Sequence, residues 1–93
     1  MKQVILYSMK GCPWCDKMKL KLNEGNLDYT ERDIDKYDKE YDKFVDATGS
    51  DFIPAFMLLD IDKDNEVRDV KFMVPDRDFE DIDEALLKVK QFL

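Results

Sequence analysis

Lys10-Gly11-Cys12-Pro13-Trp14-Cys15 holds the only two cysteines of this 93-residue chain. The apolar run Val4-Ile5-Leu6-Tyr7 precedes it and predicts a buried strand over Lys2–Ser8. The stretch from Pro13 to about Asn23 predicts a helix with Cys15, Met18 and Leu22 on its inward stripe; Leu20 falls off that stripe. A Cys-x-x-Cys at a strand-to-helix junction reads as a thiol–disulfide redox site. Cys12 falls at the helix N-cap and is expected to be exposed. Free backbone N–H groups and the positive dipole end stabilise a thiolate there. Cys15 lies one helical turn on, facing inward and close enough to close a small disulfide. Pro13 suits the first turn because its missing N–H needs no partner.

Other readings of the pair are weaker. A structural disulfide closing so short a loop constrains the unfolded chain little. A zinc site needs about four ligands, and the sequence offers one cysteine pair and no histidine. Inert buried thiols fit poorly with Gly and Pro beside them.

The length fits one domain over residues 1–93 with a single modest core. No run approaches the ~20 apolar residues of a membrane span. Met1 to Tyr7 lacks the apolar region and cleavage site of a signal peptide, so a cytoplasmic protein is expected, where a cysteine pair is more often catalytic than structural. The net charge is −7, which argues against nucleic-acid binding. It is unevenly spread. Residues 1–27 carry five lysines against two carboxylates, net +3, and residues 28–93 carry net −10. The lysines cluster around the cysteine motif, where Lys10 would support a thiolate; Lys19 reads as part of an ordinary solvated helix face.

Working outward, Tyr29–Ile34 predicts an edge strand blunted by charge. Asn23-Glu24-Gly25-Asn26 ends the first helix, with Gly25 or Asn26 as its left-handed cap. Asp35 is the candidate cap of a second helix with Tyr37, Tyr41, Phe44, Val45 and Thr48 on one stripe, stopped by Gly49. Ala55-Phe56-Met57-Leu58-Leu59 predicts a central strand. Asp60–Glu66 is a turn and Val67–Val74 the partner strand of a hairpin, ended by Pro75. The Asp-rich turn opens like a calcium loop, but Asn65 and Lys71 replace the glycine and acid that such a loop needs. A last helix starts near Asp76–Asp78 and shows Phe79, Ile82, Leu86, Val89 and Leu93 at helical spacing. The order β-α-β-α-β-β-α predicts an α/β fold, a four-stranded mixed sheet flanked by three helices.

With this order in hand, the chain resembles the glutaredoxins, which have a thioredoxin-like fold. Cys12-Pro13-Trp14-Cys15 is similar to the family's Cys-Pro-Tyr-Cys, and Ile53-Pro54 is placed like its Val-Pro. The resemblance implies a cis Ile53–Pro54 bond beside the sulfurs, with Ile53 pairing to the backbone of glutathione. Departures are equally visible. Phe52 stands where the family has Thr, and Met9 stands at the family's lysine position, with Lys10 one residue later. Val74-Pro75 falls on the Gly-Gly that lets glutathione approach the backbone.

The resemblance implies a dithiol oxidoreductase in which Cys12 is the nucleophile and Cys15 the resolving thiol. Lys10, Trp14, Ile53, Pro54, Arg77 and Asp78 are the candidate substrate-binding residues. Arg77 would pair with the carboxylate and Asp78 with the ammonium of the glutamyl end of glutathione. Expected partners are glutathione as co-substrate, protein disulfides (ribonucleotide reductase among them) and a reductase, acting on a monomer with no bound cofactor or metal. Two alternatives remain open. One is a thioredoxin-like hydrogen donor reduced by a flavoprotein reductase, and the other is a non-enzymatic module holding metal or an iron–sulfur cluster across a dimer.

Overall fold

The structure, a computed structural model, describes residues 1–93. In chain order the elements are β1 (Lys2–Ser8), α1 (Pro13–Glu24), β2 (Thr30–Asp33), α2 (Asp38–Thr48), β3 (Ala55–Ile61), β4 (Val67–Met73) and α3 (Ile82–Phe92). The sheet runs β2-β1-β3-β4. β1 pairs in parallel with β2 and antiparallel with β3, and β3 pairs antiparallel with β4. This is the expected mixed sheet in the expected order.

β1 and β3 read as unbroken apolar runs because both of their faces are covered. Alternate side chains serve opposite layers. Val4, Leu6, Phe56 and Leu58 pack with Met18 and Leu22 of α1 and with Ala85 and Val89 of α3. Ile5, Tyr7 and Ala55 pack with Tyr41 and Phe44 of α2 on the other face. A fully buried side chain of this size contributes about 1.5–3 kcal/mol through its removal from water. The β1–α1 junction is therefore clamped from both sides, and the cysteine turn emerges from it.

Differences from the sequence expectations sit at element ends. β2 is shorter than Tyr29–Ile34, and it lies at the sheet edge as its charge suggested. Asn26, not Gly25, takes the left-handed conformation after α1, while Gly49 takes it after α2. Asp35 does not cap α2. The Asp33 carboxylate accepts the Asp35 N–H at 2.8 Å in a turn of its own, so the cap moves two residues on, to Tyr37, and the helix starts at Asp38. Tyr37 thereby leaves the predicted stripe and is exposed.

The largest correction concerns α3, which begins at Ile82 and not near Asp76–Asp78. Asp78 accepts the Val74 N–H at 2.9 Å through its carboxylate and returns its own N–H to the Val74 carbonyl at 3.0 Å. That reciprocal pair, with Asp76 at φ 70°, closes a turn that a helix cannot include. Asp81 is the real cap, accepting the Glu84 N–H at 2.8 Å. Phe79 is buried in the core from the loop, and Leu93 is exposed as the C-cap of α3.

Candidate active site

β1 ends at Ser8, and Met9, Lys10 and Gly11 turn the chain into α1. Gly11 sits at φ 81°, a conformation that other residues adopt at a cost. The turn closes when the Cys12 N–H donates to the Met9 carbonyl at 3.2 Å. Cys12 is then the N-cap of α1, extended at φ −95° and ψ 107°, and Pro13 fills the first helical position. The Cys12 Sγ accepts the Cys15 N–H at 3.2 Å. The sulfur thus occupies the place where a capping oxygen meets the orphan donors of a helix, the position that favours a thiolate.

Both thiols are free. Cys15 is fully buried, and Cys12 shows 9% of its surface, less than the exposed thiol expected from its position. Its sulfur is drawn onto the Cys15 N–H by the capping bond and does not stand free in solvent. Burial pushes the Cys15 thiol up to about 12, reinforced by its hydrogen bond with Cys12 and opposed by the Met9 backbone and the Lys19 charge. Cys15 is therefore sealed from solvent and holds its proton more tightly than an ordinary thiol.

The Ile53–Pro54 bond is cis and leads into β3 beside β1. Ile53 and Pro54 line a groove of about 250 Å³ with Trp14, Phe52, Pro75 and Phe79, and Asp76, Glu80 and Asp81 supply its charge. Trp14 and Phe52 are 59% and 56% exposed. The Ile53 N–H and C=O have no hydrogen-bond partner.

The other expected binding residues lie elsewhere. Lys10 lines a polar depression on the opposite flank, with Ser8, Asp16, Lys19 and Glu31. Lys19 is not on a free solvated face. Its ammonium binds Glu31 at 2.8 Å and so ties α1 to β2. Arg77 and Asp78 face each other at 2.8 Å. The Arg77 guanidinium also donates to the Phe72 carbonyl at 3.2 Å. Burial would raise the Asp78 carboxyl, but the bonds from Arg77 and the Val74 N–H outweigh it and hold it below the usual carboxylate range. Arg77 borders an adjoining depression that shares Phe52, Pro75 and Asp76 with the groove and adds Thr48, Ser50 and Asp51.

Sequence reasoning missed Asp76, Glu80 and Asp81 as groove residues. Their signal was present as a run of acids after Pro75, but reading that run as a helix start assigned the charges to the helix dipole.

A family model for glutaredoxin matches residues 4–58, from β1 through the cysteine pair to the cis proline and β3. No curated protein matches the sequence. Among solved structures, the fold is similar to a Trichomonas vaginalis thioredoxin, with TM-score 0.63 and 18% identity over 99% of this chain and 79% of that one. It is also similar to a Thermus thermophilus thioredoxin, with TM-score 0.56 and 17% identity over 97% of this chain and 72% of that one. A Trametes versicolor glutathione transferase Omega 2S gives TM-score 0.57 and 19% identity over 99% of this chain and 35% of that one. At such identities these structures carry the fold alone, whereas the family match carries the cysteine pair with it. A Cys-x-x-Cys pair on this fold supports a thiol oxidoreductase. Because the matched segment spans more than half of the chain and includes both the cysteine turn and the cis-proline strand, the protein belongs to the glutaredoxin family.

Proposed function

We propose that the protein reduces disulfides by a dithiol mechanism. The Cys12 thiolate attacks a substrate disulfide and forms a mixed disulfide while one substrate thiol leaves. Cys15 then loses its proton and attacks the Cys12 sulfur. The second substrate thiol leaves, and the protein keeps the two-electron oxidation as a Cys12–Cys15 disulfide. The observation that carries this reading is the Cys12 sulfur held at the α1 N-cap, 3.2 Å from the Cys15 N–H, with Cys15 buried behind it. The unpartnered Ile53 N–H and C=O suit an extended substrate segment. Trp14 supplies apolar contact area, and the cytoplasm supplies the reducing surroundings such a pair needs.

Glutathione is the proposed reductant, with Arg77 and Asp78 as the groups for its glutamyl end. Two observations favour the second reading, electrons from a flavoprotein reductase. Arg77 is already engaged by Asp78, and the charged side chains of the groove are all carboxylates, which repel the two carboxylates of glutathione. The test is disulfide reduction measured in parallel with glutathione plus glutathione reductase and with a thioredoxin reductase. Cys12→Ser is expected to be inactive in both, and Cys15→Ser to accumulate a mixed disulfide on Cys12. Activity of Cys12→Ser would overturn the assignment. Turnover only with the flavoprotein would select the second reading.

A further inference from the structure

We propose that the groove lined by Trp14 of the cysteine turn and by Ile53 and Pro54 selects disulfide partners whose cysteine is flanked by basic residues in an extended apolar segment. This rests on the oxidoreductase reading above and names its substrate class. The groove joins an exposed aromatic pair, Trp14 and Phe52, to a loop that contributes Asp76, Glu80 and Asp81. Asp81 caps α3, but Asp76 and Glu80 form no ion pair and accept no hydrogen bond. Three nearby carboxylates are matched, Glu31 by Lys19, Glu40 by Arg32 and Asp78 by Arg77, whereas Asp33 on the β2 flank has no ion pair. Two cations border the groove: Lys17 lies 5.2 Å from the Trp14 ring centroid and faces a neighbouring depression with Lys21 and Asp83, and Arg77, in the adjoining depression, is engaged by Asp78.

A peptide paired to the Ile53 backbone sends alternate side chains to opposite sides. With its cysteine at Cys12, a neighbouring side chain reaches the Trp14–Phe52 surface or the Asp76–Glu80 rim. A lysine or arginine satisfies both, lying its stem on the aromatic surface and its charge among the carboxylates. A glutamate in that place meets like charge and pays desolvation with nothing in return. The chemistry is that of the dithiol mechanism: the peptide disulfide gains two electrons and two protons, and the protein forms its internal disulfide.

The test uses the fully reduced protein and single-turnover kinetics, so that no electron donor enters. Three peptides share one apolar sequence and one cysteine, carried as a mixed disulfide with 2-mercaptoethanol; the flanks are Lys, Gln or Glu. Two exposed charge contacts predict that the Lys peptide reacts on the order of tenfold faster than the Glu peptide at low salt, and the ratio falls toward one at 0.5 M salt. Asp76→Asn with Glu80→Gln brings the low-salt ratio toward one; Asn tolerates the left-handed conformation at position 76. Asp42→Asn with Asp46→Asn, two exposed acids of α2, keeps the wild-type ratio. Equal rates for all three peptides would overturn the selectivity and leave the oxidoreductase reading standing. Reduction of none of them would overturn both.

Discussion

On the β2 flank of the cysteine turn, three carboxylates are matched within the molecule. Lys19 bridges Glu31 and Asp16, Ser8 donates to Glu31 at 2.7 Å, and Glu40 receives both Arg32 and the Tyr7 hydroxyl. On the flank made by the loop before α3, Asp76 and Glu80 face solvent unpaired beside exposed Trp14 and Phe52. The same residue types thus do different things on the two sides. Where carboxylates meet cations across elements they hold β2 and α1 in place. Where they stand free around an apolar groove they lower stability slightly by repulsion and remain available to a partner. Cys12 keeps 9% of its surface exposed, and Cys15 keeps none.

The largest expected effect concerns that sealed thiol. Iodoacetamide at neutral pH should label Cys12 at least ~100-fold faster than Cys15, because Cys15 carries almost no thiolate and no exposed surface. The same burial couples to stability. An unfolded Cys15 ionises near its ordinary value of 9.0, whereas the folded thiol holds its proton until about 12. Above pH 9 the unfolded state therefore releases a proton that the native state keeps, and stability falls as pH rises through that window. Denaturant unfolding of the reduced protein between pH 8 and 10.5 should show this slope, and Cys15→Ala should show less of it. Equal slopes would mean that Cys15 is not sealed.

Next in size is the buried end of the matched flank. The Tyr7 hydroxyl is fully buried and donates to Glu40 at 2.7 Å. Glu40→Ala leaves that donor without a partner and should cost about 1–3 kcal/mol of unfolding free energy. Tyr7→Phe in the Glu40→Ala background should then cost less than Tyr7→Phe alone, since the lost bond is shared. Additive losses would show that the two side chains act independently.

These two flanks were unequally legible in the sequence. β1, α1, β3 and the cysteine turn could be read because local signals agreed there: unbroken apolar runs, a Gly-Cys-Pro turn, and Met18 and Leu22 at helical spacing. Pairing across elements could not. Nothing local to Lys19 indicates that Glu31 comes within 2.8 Å of it, since parallel pairing of β1 with β2 makes that contact. The groove was hidden for a different reason. Asp76 to Asp83 has the acidic character of a helix start, and only the Asp78 carboxylate folding back on Val74 delays the helix to Ile82. A side-chain hydrogen bond four residues back thus overrode a fair helical pattern and placed acids at the groove.

A smaller effect is expected from the exposed part of the matched flank. The Lys19 ammonium and the Ser8 hydroxyl hold the Glu31 carboxyl below its ordinary value of 4.5. Its contribution is therefore present above that value and lost as pH falls through the depressed one. Glu31 is 40% exposed, so solvent screening limits Glu31→Gln to roughly 0.5–1 kcal/mol at neutral pH. The gap between variant and wild type should narrow below about pH 4 and shrink in 0.5 M salt. A gap unchanged by acid and by salt would assign Glu31 a packing role instead.

The smallest effect is the most discriminating between the two flanks. Asp76→Asn with Glu80→Gln removes two negative charges from a chain of net charge −7, at a loop that runs into Asp81 and into Asp83 of the first turn of α3. No cation is lost as a partner, and Asn keeps the backbone conformation open at position 76. Relief of like-charge repulsion should leave the thermal midpoint unchanged or raise it by up to about 3 °C at low salt. Added salt should close the difference, because repulsion among exposed charges is screened. Thermal unfolding of the reduced proteins by circular dichroism reads both. A midpoint lowered by more than about 3 °C would mean that these carboxylates hold the loop together as Glu31 and Glu40 hold β2, and the contrast between the flanks would fail.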